Sequence, residues 1–303
     1  MRAWVPMQIM ADALEDLVGV TVEVITPDSA ALPSSAAEVE FYVPPFFCRP
    51  ESAAAMARMP RLKVVQTLTA GFDWVRPHVP AGAVLCNARG VHDASTAEWV
   101  VGAILASVRQ FPHFAAEQAG SRWSYQSTGC LAGKTVLIIG YGSIGNAVER
   151  RLAGFDVTVR RVARSAREGV SPVADLPGLL PGADVVVLLA PATAETAKMA
   201  DAAFLRQMRD GALLVNAARG SLVVTDDLVA ELGTGRLSAA LDVTEPEPLP
   251  PGHPLWGLPN VFITPHVGAS TPVSWNAAQG FVRAQADRYL AGEPLANAVT
   301  GEY

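Results

Sequence analysis

Arg219, Glu247 and His266 are side chains whose types could together run proton-coupled redox chemistry. Arg219 follows the apolar run ALLVNAA, Glu247 sits in the proline-rich LDVTEPEPLP, and His266 ends VFITP. A guanidinium presents a planar fork that grips a carboxylate with two hydrogen bonds. An imidazole titrates near neutrality, so it can give or take the proton that accompanies hydride transfer. A carboxylate beside it favours the protonated ring and fixes its orientation. Taken singly, each residue also has a plain reading: a surface arginine, a solvated acid, a structural histidine. After consecutive strands of one parallel sheet they would share the edge where such sheets bind ligands.

Upstream lies GYGSIG, Gly140–Gly145, which fits G-x-G-x-x-G, follows the apolar TVLII and opens a helical pattern. Gly140 permits the tight turn, Gly142 lets backbone approach a pyrophosphate, and Gly145 allows close helix–strand packing. The helix N-terminus then offers N–H groups and a positive dipole end to phosphates. Further on, where a dinucleotide-binding sequence places an acid, stands VRRVARSAR, Val159–Arg167, with four arginines in nine residues. Two readings stay open. It is a solvated basic patch, in a chain whose only lysines are Lys63, Lys134 and Lys198, or it accepts the extra phosphate of NADP(H).

The elements that must position these residues follow from hydrophobic periodicity. RAWVP, VTVEVIT, VEFYVPP and LKVVQTLTA read as strands, with ADALEDLV and PESAAAMARM as helices between them. Ala94–Gln110 has helical spacing behind Asp93 as N-cap, and FPHFAAEQAGSRWSYQSTGC loses periodicity and reads as an exposed arm. A second series, KTVLIIG, FDVTVRR, ADVVVLLA, GALLVNAA, LSAALDV and NVFITPH, reads as strands, with a helix over Ile144–Ala153. A last helix, Val273–Ala291, returns the chain toward its start. Alternating strands and helices predict the α/β class, here two Rossmann-like doubly wound parallel-sheet lobes, the second inserted late into the first.

Composition narrows the partners. Half of the 303 residues are apolar, 17% are charged and the net charge is -6, which argues against a nucleic-acid partner. The longest apolar runs, such as Val185–Ala190, are too short to span a bilayer, and the first residues show no signal-peptide pattern. Cys48, Cys86 and Cys130 have neither disulfide nor zinc spacing, so no metal is expected and a reduced, cytoplasmic protein is the simplest reading.

LTAGFDWV, NARGVHDASTAEWV, GYGSIG, NAARGSLV, AALDVTEPEPLP and HPLWGLPNVFITPHVGAST occur in this order, and through them nearly the whole chain resembles the D-isomer-specific 2-hydroxyacid dehydrogenase family. The resemblance implies a substrate domain from 1–95 plus 275–303 and a dinucleotide-binding domain over 96–274, with a cleft between the lobes. It implies that Arg219 binds the substrate carboxylate and polarises the 2-oxo group, that His266 is the general acid in reduction, and that Glu247 is its partner. Glu245 does not fall on the family position. Related formate dehydrogenases carry glutamine where Glu247 stands, which favours hydroxyacid chemistry here. The backbone of Thr69, Ala70 and Gly71 matches the loop that meets the substrate carboxylate. Ser143 and Ile144 match pyrophosphate contacts, and Thr96 lies near the nicotinamide. Ala217, Ala218, Arg219 and Asp242, with His266, Gly268 and Ala269, match its other surroundings, although Asp242 also reads as a strand-end turn residue. Many relatives have histidine in the segment written here LLAPAT; Leu189 and Ala190 replace that contact.

Counting through GFDVTVRR places Arg161 where NAD-preferring members have aspartate, with Arg164 beside it, Arg160 on the opposite face and Arg167 plain surface. The resemblance thus implies NADP(H) as preferred cofactor, with NAD(H) as the alternative. The expected reaction is reversible reduction of a small 2-oxo acid to a D-2-hydroxy acid, the acid being glyoxylate, hydroxypyruvate or a bulkier apolar one rather than a phosphorylated one. Val43–Phe47 and Trp275 are candidates for the pocket lip, and equally for core. A homodimer through the Ala94–Gln110 helix and the following arm is expected. The rivals are a nucleotide-sensing regulator of the same fold and a phosphite-oxidising dehydrogenase.

Overall fold

The computed structural model describes residues 1–25, 33–45 and 50–301. Phe46 and Phe47 of the expected pocket lip, and Cys48, lie outside the described residues. Contacts divide the chain into two units, 1–92 with 272–303, and 93–271. Both crossings fall three residues before the expected 95 and 275.

The first unit carries five parallel strands: β1 Arg2–Val5, β2 Thr21–Val24, β3 Phe41–Tyr42, β4 Val64–Gln66 and β5 Val84–Cys86, in the order β2-β1-β3-β4-β5. One face of this sheet, with Ala3, Val5, Phe41, Val43 and Val64, packs on Ala278, Val282 and Ala286 of the Pro272–Ala291 helix. The other face, with Trp4, Tyr42 and Val65, packs on Met56, Met59, Phe72 and Val75. Two expected helices are shorter than read. ADALEDLV is helical only at its start, in Gln8–Asp12, and then descends through turns closed by bonds such as Leu17 N–H to the Leu14 carbonyl, 3.2 Å. PESAAAMARM divides into Pro50–Ala54 and a tighter 3-10 turn, Ala55–Arg58.

The second unit holds seven parallel strands: β6 Thr135–Ile139, β7 Thr158–Ala163, β8 Ser171–Pro172, β9 Val185–Leu188, β10 Leu213–Asn216, β11 Ser238–Leu241 and β12 Val261–Ile263. Their order, β12-β11-β10-β9-β6-β7-β8, reverses direction between β9 and β6, the switch point of a doubly wound sheet. The central strands are apolar throughout because both faces are covered. Alternate residues divide cleanly: Leu137, Ile139, Val186, Leu188, Leu214 and Ala239 enter one core, while Val136, Ile138, Val185, Val187, Leu213 and Ala240 enter the other. The second core is closed by the helices Asp93–Val108 and Ser143–Leu152.

Three departures have local causes. The two-residue β8 is too short to carry a period. Asp93 is the first residue of its helix, and its carboxylate accepts the Ser143 hydroxyl at 3.0 Å. The expected arm begins with a helix, Phe111–Ala119, set off from the preceding one by the left-handed Gln110 (φ 53°); none of its residues is buried, so no apolar face announces it. The remainder is exposed as expected, Trp123 and Tyr125 almost completely. Replacing the fully buried Leu137 by alanine should lower unfolding free energy by about 2–5 kcal/mol, read from denaturant melts, because the close-packed sheet cannot collapse into the void.

Candidate active site

The turn after β10 is built around Asn216, which is 1% exposed. Its side-chain carbonyl accepts Ala218 N–H at 3.1 Å, and its Nδ2 donates to the Arg219 carbonyl at 2.9 Å. Both groups of one buried amide are thus spent on fixing the Ala217–Arg219 backbone. Arg219 is extended, and its Nη1 donates to the Ala218 carbonyl at 2.8 Å. Gly220 follows, and a Cβ there would stand 2.0 Å from the Thr244 carbonyl oxygen and 2.6 Å from Glu245 N. Only glycine lets the Arg219 turn lie on the loop that carries Glu247. Thr225 adds a second tie, its hydroxyl donating to the Glu245 carbonyl at 2.6 Å. Glu245–Pro246 and Glu247–Pro248 are both cis.

At the end of that loop Glu247 Oε1 lies 2.6 Å from His266 Nδ1, with both side chains partly open to solvent. His266 has a left-handed backbone, φ 53°, which a non-glycine residue keeps only when its surroundings hold it. Asp242, 4% exposed, supplies the hold. Its Oδ1 accepts the Thr264 hydroxyl at 2.6 Å and Val267 N–H at 2.8 Å, and its Oδ2 accepts Gly268 N–H at 2.8 Å. Its backbone carbonyl accepts His266 N–H at 2.8 Å. A carboxylate this buried is tolerable because both of its oxygens accept hydrogen bonds, three in all. These bonds are of the kind a strand-end turn residue makes. Gly268 is required for them, since a Cβ would lie 2.7 Å from Asp242 Oδ2. Ala269, half-buried, continues this edge.

The glycine turn has the geometry a pyrophosphate needs. Gly140 is left-handed (φ 97°), and a Cβ on it would strike Ala190 N at 2.2 Å, so the backbone after β9 passes directly beneath. Gly142 has no heavy atom within 4 Å of where a Cβ would be, and as N-cap of the Ser143–Leu152 helix it provides no capping side chain. The Gly145 Cβ position is 3.3 Å from Ile138 Cγ2, which is the close helix–strand packing expected of it. An open approach to an uncapped helix N-terminus fits a dinucleotide phosphate. Ile144 is half-buried against the sheet, the Ser143 hydroxyl is given to Asp93, and Thr96 is 6% exposed in the neighbouring helix.

The arginines are rearranged relative to expectation. β7 runs to Ala163, and the Val162 carbonyl accepts both Gly140 and Tyr141 N–H at 2.9 Å. Arg161 is therefore inside the strand, opposite Ile138, and the strand-end position belongs to Ala163. The Arg161 guanidinium forks onto Glu149, with Nε donating to Oε2 at 2.7 Å and Nη2 to Oε1, and lies 5.7 Å from the Tyr141 ring centroid. The Arg161 hydrogen bond holds the Glu149 carboxyl below its usual range, and Glu149 in turn raises Arg161. Arg167 is not plain surface: its Nη2 donates to the Tyr141 carbonyl and its guanidinium lies 5.8 Å from the same ring. Arg160 and Arg164 are exposed.

In the first unit Thr69, Ala70 and Gly71 are half-exposed, while Trp275 packs against the core behind β1 and β3. Val43, Pro44 and Pro45 are buried. Among the described residues there is no cluster of three potential metal ligands, and no helix is long and apolar enough to cross a membrane. Asn216, Gly220 and Glu149 were not singled out in the sequence; the signal for the first two was NAARG itself, whose asparagine and glycine flank the arginine. Gly220→Ala should separate the Arg219 turn from the Glu247 loop. The expected result is a destabilisation of about 1–3 kcal/mol from overpacking, together with at least tenfold lower turnover, measured by denaturant melts and steady-state assay.

Residues 101–268 match the family described as D-isomer specific 2-hydroxyacid dehydrogenase, NAD binding domain. A glyoxylate reductase of Thermofilum pendens is 37% identical over 236 residues, 72% of this chain and 69% of that one. A glyoxylate reductase/hydroxypyruvate reductase of Homo sapiens is 32% identical over 254 residues, 77% of this chain and 76% of that one. Among solved structures, an NADPH-dependent glyoxylate/hydroxypyruvate reductase from Sinorhizobium meliloti, in complex with NADP and sulfate, is 30% identical with a TM-score of 0.85 over 98% of both chains. The chain belongs to the D-isomer specific 2-hydroxyacid dehydrogenase family and is an NAD(P)-dependent oxidoreductase.

Proposed function

We propose that this enzyme reduces a small, unphosphorylated 2-oxo acid to the D-2-hydroxy acid, reversibly and with NADPH preferred over NADH. The observation that carries the reading is the 2.6 Å contact between His266 Nδ1 and Glu247, which joins the turns after β12 and β11 next to the fixed Arg219 turn after β10. Arg219 binds the substrate carboxylate through its fork and draws electron density from the 2-oxo group. The backbone of Thr69, Ala70 and Gly71 is assigned to the same carboxylate. With Nδ1 committed to Glu247, Nε2 of His266 delivers the proton to the substrate oxygen, and Glu247 stabilises the imidazolium before that transfer. Gly140–Gly145 would hold the cofactor's pyrophosphate and Thr96, Ala217, Ala218, Asp242, Gly268 and Ala269 would surround its nicotinamide, which when bound and reduced would supply a hydride to C2. Oxidation runs the same proton back to His266.

Cofactor preference rests on Ala163. An acid at the end of β7 would bind the ribose hydroxyls and repel a 2′-phosphate; alanine does neither, and Arg164 follows it. A homodimer is proposed through the exposed arm that bears Phe111, Trp123 and Tyr125.

His266→Ala should reduce kcat by about 100-fold or more while leaving NADPH affinity within twofold, measured by steady-state kinetics and fluorescence titration. A variant with wild-type turnover would remove histidine from the reaction. Wild-type enzyme should show a higher kcat/KM with NADPH than with NADH, and Ala163→Asp should invert the ratio. An unchanged ratio would refute Ala163 as the selecting position, and phosphite supporting NADP reduction, with all 2-oxo acids inert, would replace the substrate class.

A further inference from the structure

In the second unit the glycine turn, Arg219 and His266 follow the carboxyl ends of their strands. At the opposite strand ends lies a cavity of about 220 Å³, and Ser107, Val108, Lys134, Val185, Leu213 and Ser238 are among the residues that line it. Val185, Leu213 and Ser238 are the first residues of β9, β10 and β11 and stand in one row, so their side chains share a face of the sheet. Val185 and Leu213 belong to the core that the Asp93–Val108 helix closes. That helix stops at Val108, so Ser107 and Val108 form the wall of the cavity. The floor is two apolar side chains and one hydroxyl. The volume falls below the ~300–1,000 Å³ of pockets for drug-sized ligands, which excludes a nucleotide and leaves room for a small molecule.

Charge at the cavity is unbalanced. Lys134 Nζ donates to Asp184 Oδ1 at 3.2 Å, and Arg209 Nη1 donates to the same oxygen at 2.8 Å. Asp184 Oδ2 accepts Thr135 N–H at 2.9 Å. One carboxylate with both oxygens engaged thus faces two cations, and a positive charge is left over. An ammonium has three donors, and Lys134 gives one of them to Asp184. Ser107 supplies a second, independent sign. Its Oγ is closed to solvent and has no hydrogen-bond partner among the described residues. A buried hydroxyl in that state costs free energy, and no bond fixes its rotamer. A turn about χ1 can present it to the cavity that Ser107 lines.

We infer that this cavity is a binding site for a small organic carboxylate with a short apolar body. Lys134 holds the carboxylate, the Ser107 hydroxyl donates to it, and Val108, Val185 and Leu213 receive the apolar part. The surplus charge selects an anion over an uncharged molecule, and the volume limits it to a few carbon atoms. The site lies wholly within residues 93–271, at the strand ends away from Arg219. It stands whether or not the proposed 2-oxo acid reduction does.

The test is amide NMR of the labelled full chain, as wild type and as Arg219→Ala, titrated with butyrate at constant ionic strength and with butanamide as its uncharged match. In both chains butyrate should shift the amides of Val108, Gly129, Val185 and Gly211 with a Kd of about 1–10 mM, and butanamide should leave them unmoved. Lys134→Gln keeps the reach to Asp184 without the charge, and should weaken butyrate about fivefold or more. Ser107→Ala should weaken it about threefold without lowering Tm, because it removes a hydroxyl that has no partner in the protein. A serine that served structure alone would lower Tm and leave the affinity unchanged. Butyrate that moves none of these amides at about 100 mM overturns the inference, since water or the arm of a second copy then fills the cavity. An equal response to butanamide, or unchanged affinity in Lys134→Gln, overturns it as well.

Discussion

The register of the second sheet is the constraint on which the site depends. Val162, Ile139, Leu188, Asn216, Leu241 and Ile263 stand opposite one another in a single row across six parallel strands. Just beyond that row lies the functional edge: Gly140, Ala163 and Asp242 one residue on, Arg219 and His266 three residues on. Parallel pairing fixes side-chain faces with period two, so a slip of one residue in any strand would turn its apolar set out of the core. The buried alternation of Val, Ile and Leu holds the row, and the row in turn delivers the glycine turn, Arg219 and the Glu247–His266 pair to one rim.

Past the row, the loops are held by polar groups that have no freedom to move. Asn216 and Asp242 are nearly sealed from water, and each spends its acceptors on the turn immediately after its own strand or the next. Unsatisfied, either would cost more than a hydrogen bond contributes, so each turn has one low-energy arrangement. That is how a loop residue such as His266 keeps a left-handed backbone and still aims its ring at Glu247. Gly220 and Gly268 act by the opposite means, since their missing side chains are what allow neighbouring groups to close in.

Much of this was legible in the sequence because it is local. A glycine spacing, an apolar run and a strand-end residue declare themselves within ten positions, which is why the strands, the glycine turn and the strand-end placement of Arg219, Glu247 and His266 could be read directly. The strand-end position was counted to Arg161 from the strand's start, whereas pairing with β6 and β8 carries β7 on to Ala163. Glu149, twelve residues earlier, then takes the guanidinium. The Phe111–Ala119 helix was missed because periodicity records burial, and this helix buries nothing. Asn87, whose N–H donates to the Asn297 carbonyl at 3.2 Å, meets it from far along the chain, which no window of sequence spans.

The insertion of one unit into the other also orders events in time. Residues 93–271 form a continuous stretch whose seven strands and covering helices are all synthesised before residue 272. The first unit has no such independence. Ala3, Val5, Phe41, Val43 and Val64 are made before the second unit, yet the helix that covers them with Ala278, Val282 and Ala286 is made after it. On a ribosome an apolar sheet face would wait through the whole of the second unit's synthesis for its lid. Domains fold as units as they emerge. The unit of residues 93–271 is then native first, and the first unit becomes complete only when the Pro272–Ala291 helix closes it.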